Sequence, residues 1–358
     1  MPLQMIGTRR SGSNLLRVMM GQLDGVYAPP STHMLEYFMP LIPYYGNLED
    51  DTVFTQLVDD VCKCVELNPV EWIGVKLDRE EVKTCCKENS LMSIFATIYA
   101  YAAEQKGCYE EWMCKCLGYI NYFDDFEQYF SSRMKYIYIY RDGRDVALSF
   151  TKAIAGQKHH YFLAKEWART QRLALQLKSQ LPDERFCPVK YEDLITDPET
   201  VCSRIAEFIG VSYSSKMLDY HKCSSAQLAA KSSKLWGNIT KPLITENKNK
   251  FLKESAEDEF RIFESVAGDM LDELGYERFF CKAGQEMSFS EEEINEFERV
   301  NNERKEAVIS KQNPDDVKRR EIQQNHVDSV KEHLGCISVK YHGNMLRLDS
   351  SRLQAKAG

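Results

Sequence analysis

Two short stretches of this 358-residue chain carry residues whose types and spacing suit the binding of phosphate-like anions. In MIGTRRSGSNLLRVMM (residues 5–20), Gly7 and Gly12 have four residues between them, the glycine spacing of the G-x-x-x-x-G-K-[ST] phosphate loop. Where that pattern places lysine and Ser/Thr, this chain has Ser13 and Asn14, and the positive charge sits earlier, at Arg9 and Arg10. A strand that runs into a glycine turn and then into a helix offers an anion free N–H groups and the positive end of the helix dipole. Arg10 and the hydroxyls of Ser11 and Ser13 add charged and neutral donors. Absence of the lysine and of the magnesium-holding hydroxyl argues against γ-phosphoryl transfer. A less charged group, moved without a metal ion, is the expectation.

The second stretch, KYIYIYRDGRDVALSF (residues 135–150), reads as another strand, turn and helix. Arg141 leaves the strand end, Asp142-Gly143 turns the chain, and Ser149 lies further along the helix. An Arg and a Ser so spaced can converge on one phosphate at a sheet edge. Two such sites on one edge suggest a ligand with phosphates at both ends of a nucleoside.

The elements that must position these residues alternate between short apolar runs and helix-period stretches. Residues 3–6, 72–76, 112–115, 136–140 and 186–191 read as strands. Residues 14–23, 53–67, 90–106, 119–131, 144–154, 160–180 and 198–209 read as helices. This rhythm predicts an α/β, P-loop-like three-layer fold with a central, mostly parallel sheet. Ligands of such sheets sit beyond the C-terminal strand ends, which places the loop from Gly7 to Asn14 together with Lys76, Lys115, Arg141 and Tyr191. Lys76 is followed by Asp78 and Glu80 and reads as paired with them, whereas Lys115 has no acid beside it in sequence and calls for an anion.

Composition sets limits on partners. The net charge is −8, so a general nucleic-acid binder is not expected and any anion must be held by a local cation cluster. No apolar run is long enough to cross a bilayer, and MPLQMIG has no basic n-region or apolar h-region, so a cytoplasmic protein without membrane contact is expected. The 12 cysteines show no C-x-x-C pair and read as reduced small hydrophobes. Residues 1–284 read as one domain. Residues 285–358 read as a highly charged helical extension, broken near Asn313-Pro314 and ending in a hairpin around His342-Gly343-Asn344. The extension reads as a solvated appendage or packing arm, with homodimerisation or lidding of the site as alternatives.

The motifs resemble those of the sulfotransferases that use 3′-phosphoadenosine 5′-phosphosulfate (PAPS). RRSGSNLLR is similar to their 5′-phosphosulfate loop, YRDGRDVALSF to their 3′-phosphate motif, and VKYEDLITDPETVCSRIAEFIGV (189–211) to the segment after the fifth strand. The resemblance covers residues 3–280 and is nearest the bacterial and tyrosylprotein-type branch. It implies that Arg10, Ser11, Gly12, Ser13 and Asn14 hold the phosphosulfate, that Arg141 and Ser149 hold the 3′-phosphate, and that Tyr191 lies near the adenine. AKSSKLWGNITKPLI (230–244) is similar to a late loop over the cofactor, which implies cofactor contacts at Ser233 and Lys241. Lys115 matches a lysine near the sulfuryl group, acting with Arg10. His33 in APPSTHMLEYF stands where relatives carry the general base, with Glu36 as the fallback.

The function implied is metal-free, in-line transfer of a sulfuryl group from PAPS to a hydroxyl or amine of a small-molecule acceptor in secondary metabolism, leaving adenosine 3′,5′-bisphosphate (PAP). Glu36, residues 49–51 and Asp124-Asp125 raise a cationic acceptor as an expectation. A protein tyrosine sulfotransferase, a non-catalytic PAP-binding module and a P-loop nucleoside kinase are the rivals.

Overall fold

The computed structural model describes residues 2–108, 111–153, 156–232, 234–254, 256–310 and 314–336. Five strands, β1 (Pro2–Gly7), β2 (Val26–Tyr27), β3 (Glu111–Cys114), β4 (Lys135–Tyr140) and β5 (Phe186–Lys190), form one all-parallel sheet in the order β2-β3-β1-β4-β5. The helices that bear on the site are α1 (Ser13–Met20), α2 (Met34–Phe38), α3 (Asp51–Glu66), α4 (Leu91–Gln105), α5 (Gly143–Thr151), α6 (His160–Gln180), α7 (Glu257–Glu273), α8 (Glu291–Ile309) and α9 (Pro314–His333).

Both faces of the sheet are covered, and the strand sequences show why. In β4, Tyr136 and Tyr138 face one hydrophobic core while Ile137 and Ile139 face the other. That is the period-2 alternation of a pleated strand buried on both sides. In β1, Leu3 and Met5 join the isoleucine side and Ile6 the tyrosine side. The first core lies under α2, α3 and α4; the second lies under α1 and the helix Pro198–Ile209.

The run 72–76, expected as a strand, is irregular. Trp72 is drawn into the core, edge-on to Tyr27 and Tyr99, while Ile73 stays 55% exposed. The edge strand is instead Val26–Tyr27, a pair too short to show alternation. Lys76, expected on the ligand edge, is exposed and sits in a separate open groove with Asp78, Glu80, Glu81 and Glu104. The helical expectations correspond to observed helices with small shifts, except that residues 117–122 form a 3-10 turn before the helix Phe123–Phe130.

The charged extension forms two helices, α8 and α9, on either side of Asn313-Pro314. Described residues of α9 pack into the body of the protein: Val327 and Val330 are buried in the first core. Asn301 of α8 accepts the backbone N–H groups of Lys158 and His159 through Oδ1. The expected hairpin lies outside the described residues.

Candidate active site

The strand order decides which loops meet. β1 and β4 are neighbours, with Gly7 paired to Ile139, so the two turns leave the sheet side by side. β3 flanks β1 on its other side, and β2 lies beyond it. Along the C-terminal edge the chain therefore presents, in order, His33 and Glu36 after β2, Lys115 after β3, the glycine loop after β1, Arg141 after β4 and Tyr191 after β5. They line one cleft of about 920 Å³, within the range of small-molecule sites (~300–1,000 Å³).

The glycine loop is fixed by close approaches. A Cβ on Gly7 would lie 2.1 Å from the Ile139 carbonyl oxygen, and one on Gly12 would lie 2.3 Å from the Tyr191 ring. Gly12 stands at φ 89 as the N-cap of α1, and no side chain caps that helix start. Its first N–H groups therefore remain available to an anion. Ser13 and Asn14 line the cleft. Ser11 does not: its hydroxyl is fully buried and shares a hydrogen bond with Thr8 Oγ1 at 2.9 Å. Arg10 adopts a left-handed φ of 73, and its Nε donates to Ser149 Oγ at 2.9 Å. The two turns thus meet directly, and Arg141 Nη1 also donates to the Arg10 carbonyl at 3.3 Å.

In the RDGRD turn every residue has a separate job. Arg141 is buried over the Tyr191 ring at 4.5 Å and pairs with Asp145 at 3.3 Å; its Nε is buried without a partner. Asp142 caps α5 and holds Arg144, which also pairs with the fully buried Glu264 of α7. A Cβ on Gly143 would collide with Phe263 and Trp167. Asp145 accepts the backbone N–H groups of Lys250 and Phe251, pinning the segment that runs over the site. From that segment Asn247 offers its carbonyl to Arg141 and its side-chain amide to the Tyr191 hydroxyl.

The electrostatics are lopsided. Arg10, Arg17 and Lys115 line the cleft with no carboxylate paired to any of them among the described residues. Arg17 is 2% exposed; its Nη1 reaches Ala28 O and Ser225 Oγ, each at 3.0 Å, while its Nε is orphaned. Burial pushes its guanidinium down to about 10. Burial, then the charges of Arg17, Arg9 and Arg10, push the Lys115 ammonium down to about 7. Burial and Arg141 lower Arg10. Desolvated like charges in one cleft are costly unless an anion joins them.

At the β2 end of the cleft, His33 and Glu36 form a hydrogen-bonded pair. His33 Nδ1 lies 2.9 Å from Glu36 Oε2, and Arg9 stands 3.6 Å from the same oxygen. Burial disfavours charge on both groups. The mutual attraction outweighs it, holding the His33 imidazole above its ordinary value and the Glu36 carboxyl down at about 2. Gly118 is required beneath this pair, because a Cβ there would lie 2.1 Å from Glu36 Oε1. His33 has a left-handed φ of 59, an outlier of the kind that clusters at working sites.

Other expected residues fall elsewhere. Ser233 lies outside the described residues. Lys241 is exposed and absent from the cleft wall; its carbonyl accepts the Tyr220 hydroxyl at 2.8 Å, while Trp236, Asn238 and Pro242 of the same loop line the cleft. Of the acids read as a cationic-acceptor pocket, only Glu36 lines the cleft: Asp50 caps α3, Asp51 pairs with Lys83, and Asp124 and Asp125 stand in the first turn of the helix Phe123–Phe130. Sequence reading missed Arg17, whose signal is its position one helical turn after Ser13 and Asn14, and Asn247, which carries no local signal.

The chain matches the Sulfotransferase family over residues 2–215, more than half its length, and belongs to that family. Membership supports sulfotransfer as its activity. Among solved structures it is similar to a sulfotransferase domain from the Synechococcus PCC 7002 olefin synthase, at 21% identity over 75% of this chain and 94% of that one, with a TM-score of 0.49. It is also similar to a sulfotransferase domain from the curacin biosynthetic pathway (18% identity, 77% of this chain and 97% of that one, TM-score 0.46). A third likeness is to sulfotransferase STF9 from Mycobacterium avium (12% identity, 77% of each chain, TM-score 0.40). No curated protein matches the sequence. Among the described residues, no helix is long and apolar enough to cross a membrane.

Proposed function

We propose that the protein transfers a sulfuryl group from PAPS to a hydroxyl or amine of a small-molecule acceptor, releasing PAP. The observation that carries this reading is the trio of buried Arg17 and half-buried Arg10 and Lys115, without carboxylate partners among the described residues, set beside the uncapped start of α1 and next to Arg141 and Ser149. A nucleotide with anionic groups at both ends offsets charge at both turns at once. The residues present suit that donor: the α1 amides with Arg10, Ser13 and Asn14 for the phosphosulfate, and Arg141 and Ser149 for the 3′-phosphate.

In this reading His33 removes the acceptor's proton as the acceptor oxygen or nitrogen bonds to sulfur and the bond from sulfur to the 5′-phosphate oxygen breaks. Glu36, at about 2, is too weak a base for that role. It orients His33 through Nδ1, leaving Nε2 for the acceptor, and stabilises the imidazolium that forms. Lys115 and Arg10 neutralise charge growing on the bridging and sulfuryl oxygens. Activity then rises with pH through the elevated His33 value.

Calorimetric titration with PAP and with ATP, each with and without magnesium, tests the reading in wild type and Arg141→Ala. Micromolar PAP binding that collapses in the variant supports it. Tight magnesium-dependent ATP binding indifferent to Arg141 overturns it in favour of a nucleoside kinase.

A further inference from the structure

The segment that carries His33 is held by side chains from outside it. Between β2 and α2, Pro29 and Pro30 have no N–H to donate, and no strand pairs with residues 28–33. The three carbonyls before His33 are each received by a side-chain donor instead. Trp72 Nε1 donates to Pro30 O at 2.8 Å, Asn68 Nδ2 to Ser31 O at 3.0 Å, and Gln323 Nε2 to Thr32 O at 3.4 Å. Gln323 is 3% exposed and also donates to Cys64 O of α3 at 2.8 Å.

Gln323 belongs to α9, which lies beyond the family match at 2–215. The helix is anchored there: Val327 and Val330 are in the core, and His326 Nε2 meets Asp60 O at 2.8 Å. From the same helix, Val317, Arg320, Glu321 and Gln324 line the cleft that His33 and Tyr37 also line.

We propose that α9 is part of the active site, with Gln323 a positioning residue that, alongside Asn68 and Trp72, fixes the Pro30–Thr32 carbonyls and so the His33 ring, while Val317, Arg320, Glu321 and Gln324 wall the acceptor end. The inference rests on His33 as the acceptor base. A helix outside the family match thereby sets both the aim of the base and the shape available to the acceptor.

The test reads His33 directly. In the full-length chain labelled with ¹³C at histidine, His33 is assigned by its loss in His33→Gln and titrated by NMR. The charged and titratable groups facing it are Glu36 on α2, Arg9 after β1 and Cys116 after β3, with Lys115 acting on Glu36. Gln323→Met keeps the side-chain volume and removes the donor; Trp72→Phe keeps an aromatic side chain, smaller than indole, and removes the N–H. In both, the His33 midpoint is expected to fall towards the ordinary ~6.5, because a loosened segment lengthens the contact with Glu36. PAP affinity should stay within about twofold. Folded variants whose His33 titration superimposes on wild type overturn the proposal, and if Gln323→Met fails to fold, Gln323→Leu, which also lacks the amide donor, decides it. Absence of PAP binding by the wild type would instead sink the proposed function while leaving the positioning result intact.

Discussion

Lys115 offers the sharpest prediction, because in the proposed function its protonation is coupled to the bound nucleotide's anion. At about 7, only about a tenth of molecules carry the ammonium at pH 8, and a phosphate partner returns the group towards the ordinary ~10.4. Binding one PAP at pH 8 therefore takes up about 0.9 proton at Lys115, against about 0.1 at pH 6, where the ammonium is already charged. The phosphates of PAP, with second ionisations near ~6, contribute almost nothing at pH 8. Calorimetry at pH 8 in buffers of different ionisation enthalpy gives the proton count as a slope. The linked consequence is PAP affinity that weakens almost tenfold per pH unit above ~8. Lys115→Met should abolish most of the slope while leaving the Arg141 end of the site able to bind. A wild-type slope of zero at pH 8, or the same slope in Lys115→Met, refutes the assignment of Lys115 to the anion.

Three further outcomes follow from the geometry. Gly12→Ala puts a Cβ into the Tyr191 ring at a positive φ and should cost roughly 1–3 kcal/mol in chemical denaturation, with loss of PAP binding; unchanged stability would remove the close approach as the reason for glycine. Glu36→Gln leaves His33 without its stabilising charge, so the His33 midpoint in NMR titration should drop below the wild-type value; no change would exclude the pair as an electrostatic unit. Asp145→Asn leaves buried Arg141 without its carboxylate and weakens the hold on Lys250 and Phe251. It should destabilise the protein by about 3 kcal/mol and speed proteolysis within residues 241–254, measured against the wild-type digestion rate.

Much of this was legible in the chain because the relevant physics is local. Glycine spacing, the strand-turn-helix punctuation of residues 5–20 and 135–150 and the period-2 alternation of β4 are written in consecutive residues, and so the α/β class and both strand-turn-helix segments could be read directly. What failed was equally physical. Residues 72–76 have the apolar content of a strand, but Trp72 satisfies itself by packing on Tyr27 and donating to Pro30 O, and a two-residue edge strand carries no periodicity to detect. Lys241 is expected as a cofactor contact from the resemblance of its loop to the family's late loop, yet the cleft is lined by that loop's Trp236 and Asn238 and not by Lys241.

The sequence by itself determined where a turn, a helix start and a cation coincide, because that coincidence is written in local order. Only the tertiary structure decided how those residues combine. Parallel neighbours β1 and β4 bring Arg10 to Ser149 across the sheet edge; the fold gathers Arg17 and Lys115 into the same cleft without a paired carboxylate among the described residues; and Glu36 hydrogen-bonds to His33. The same holds for Gln323, whose amide reaches Thr32 and Cys64 only because α9 folds back onto α3. Charge and burial act through space, so their consequences appear only once distant segments share one cleft.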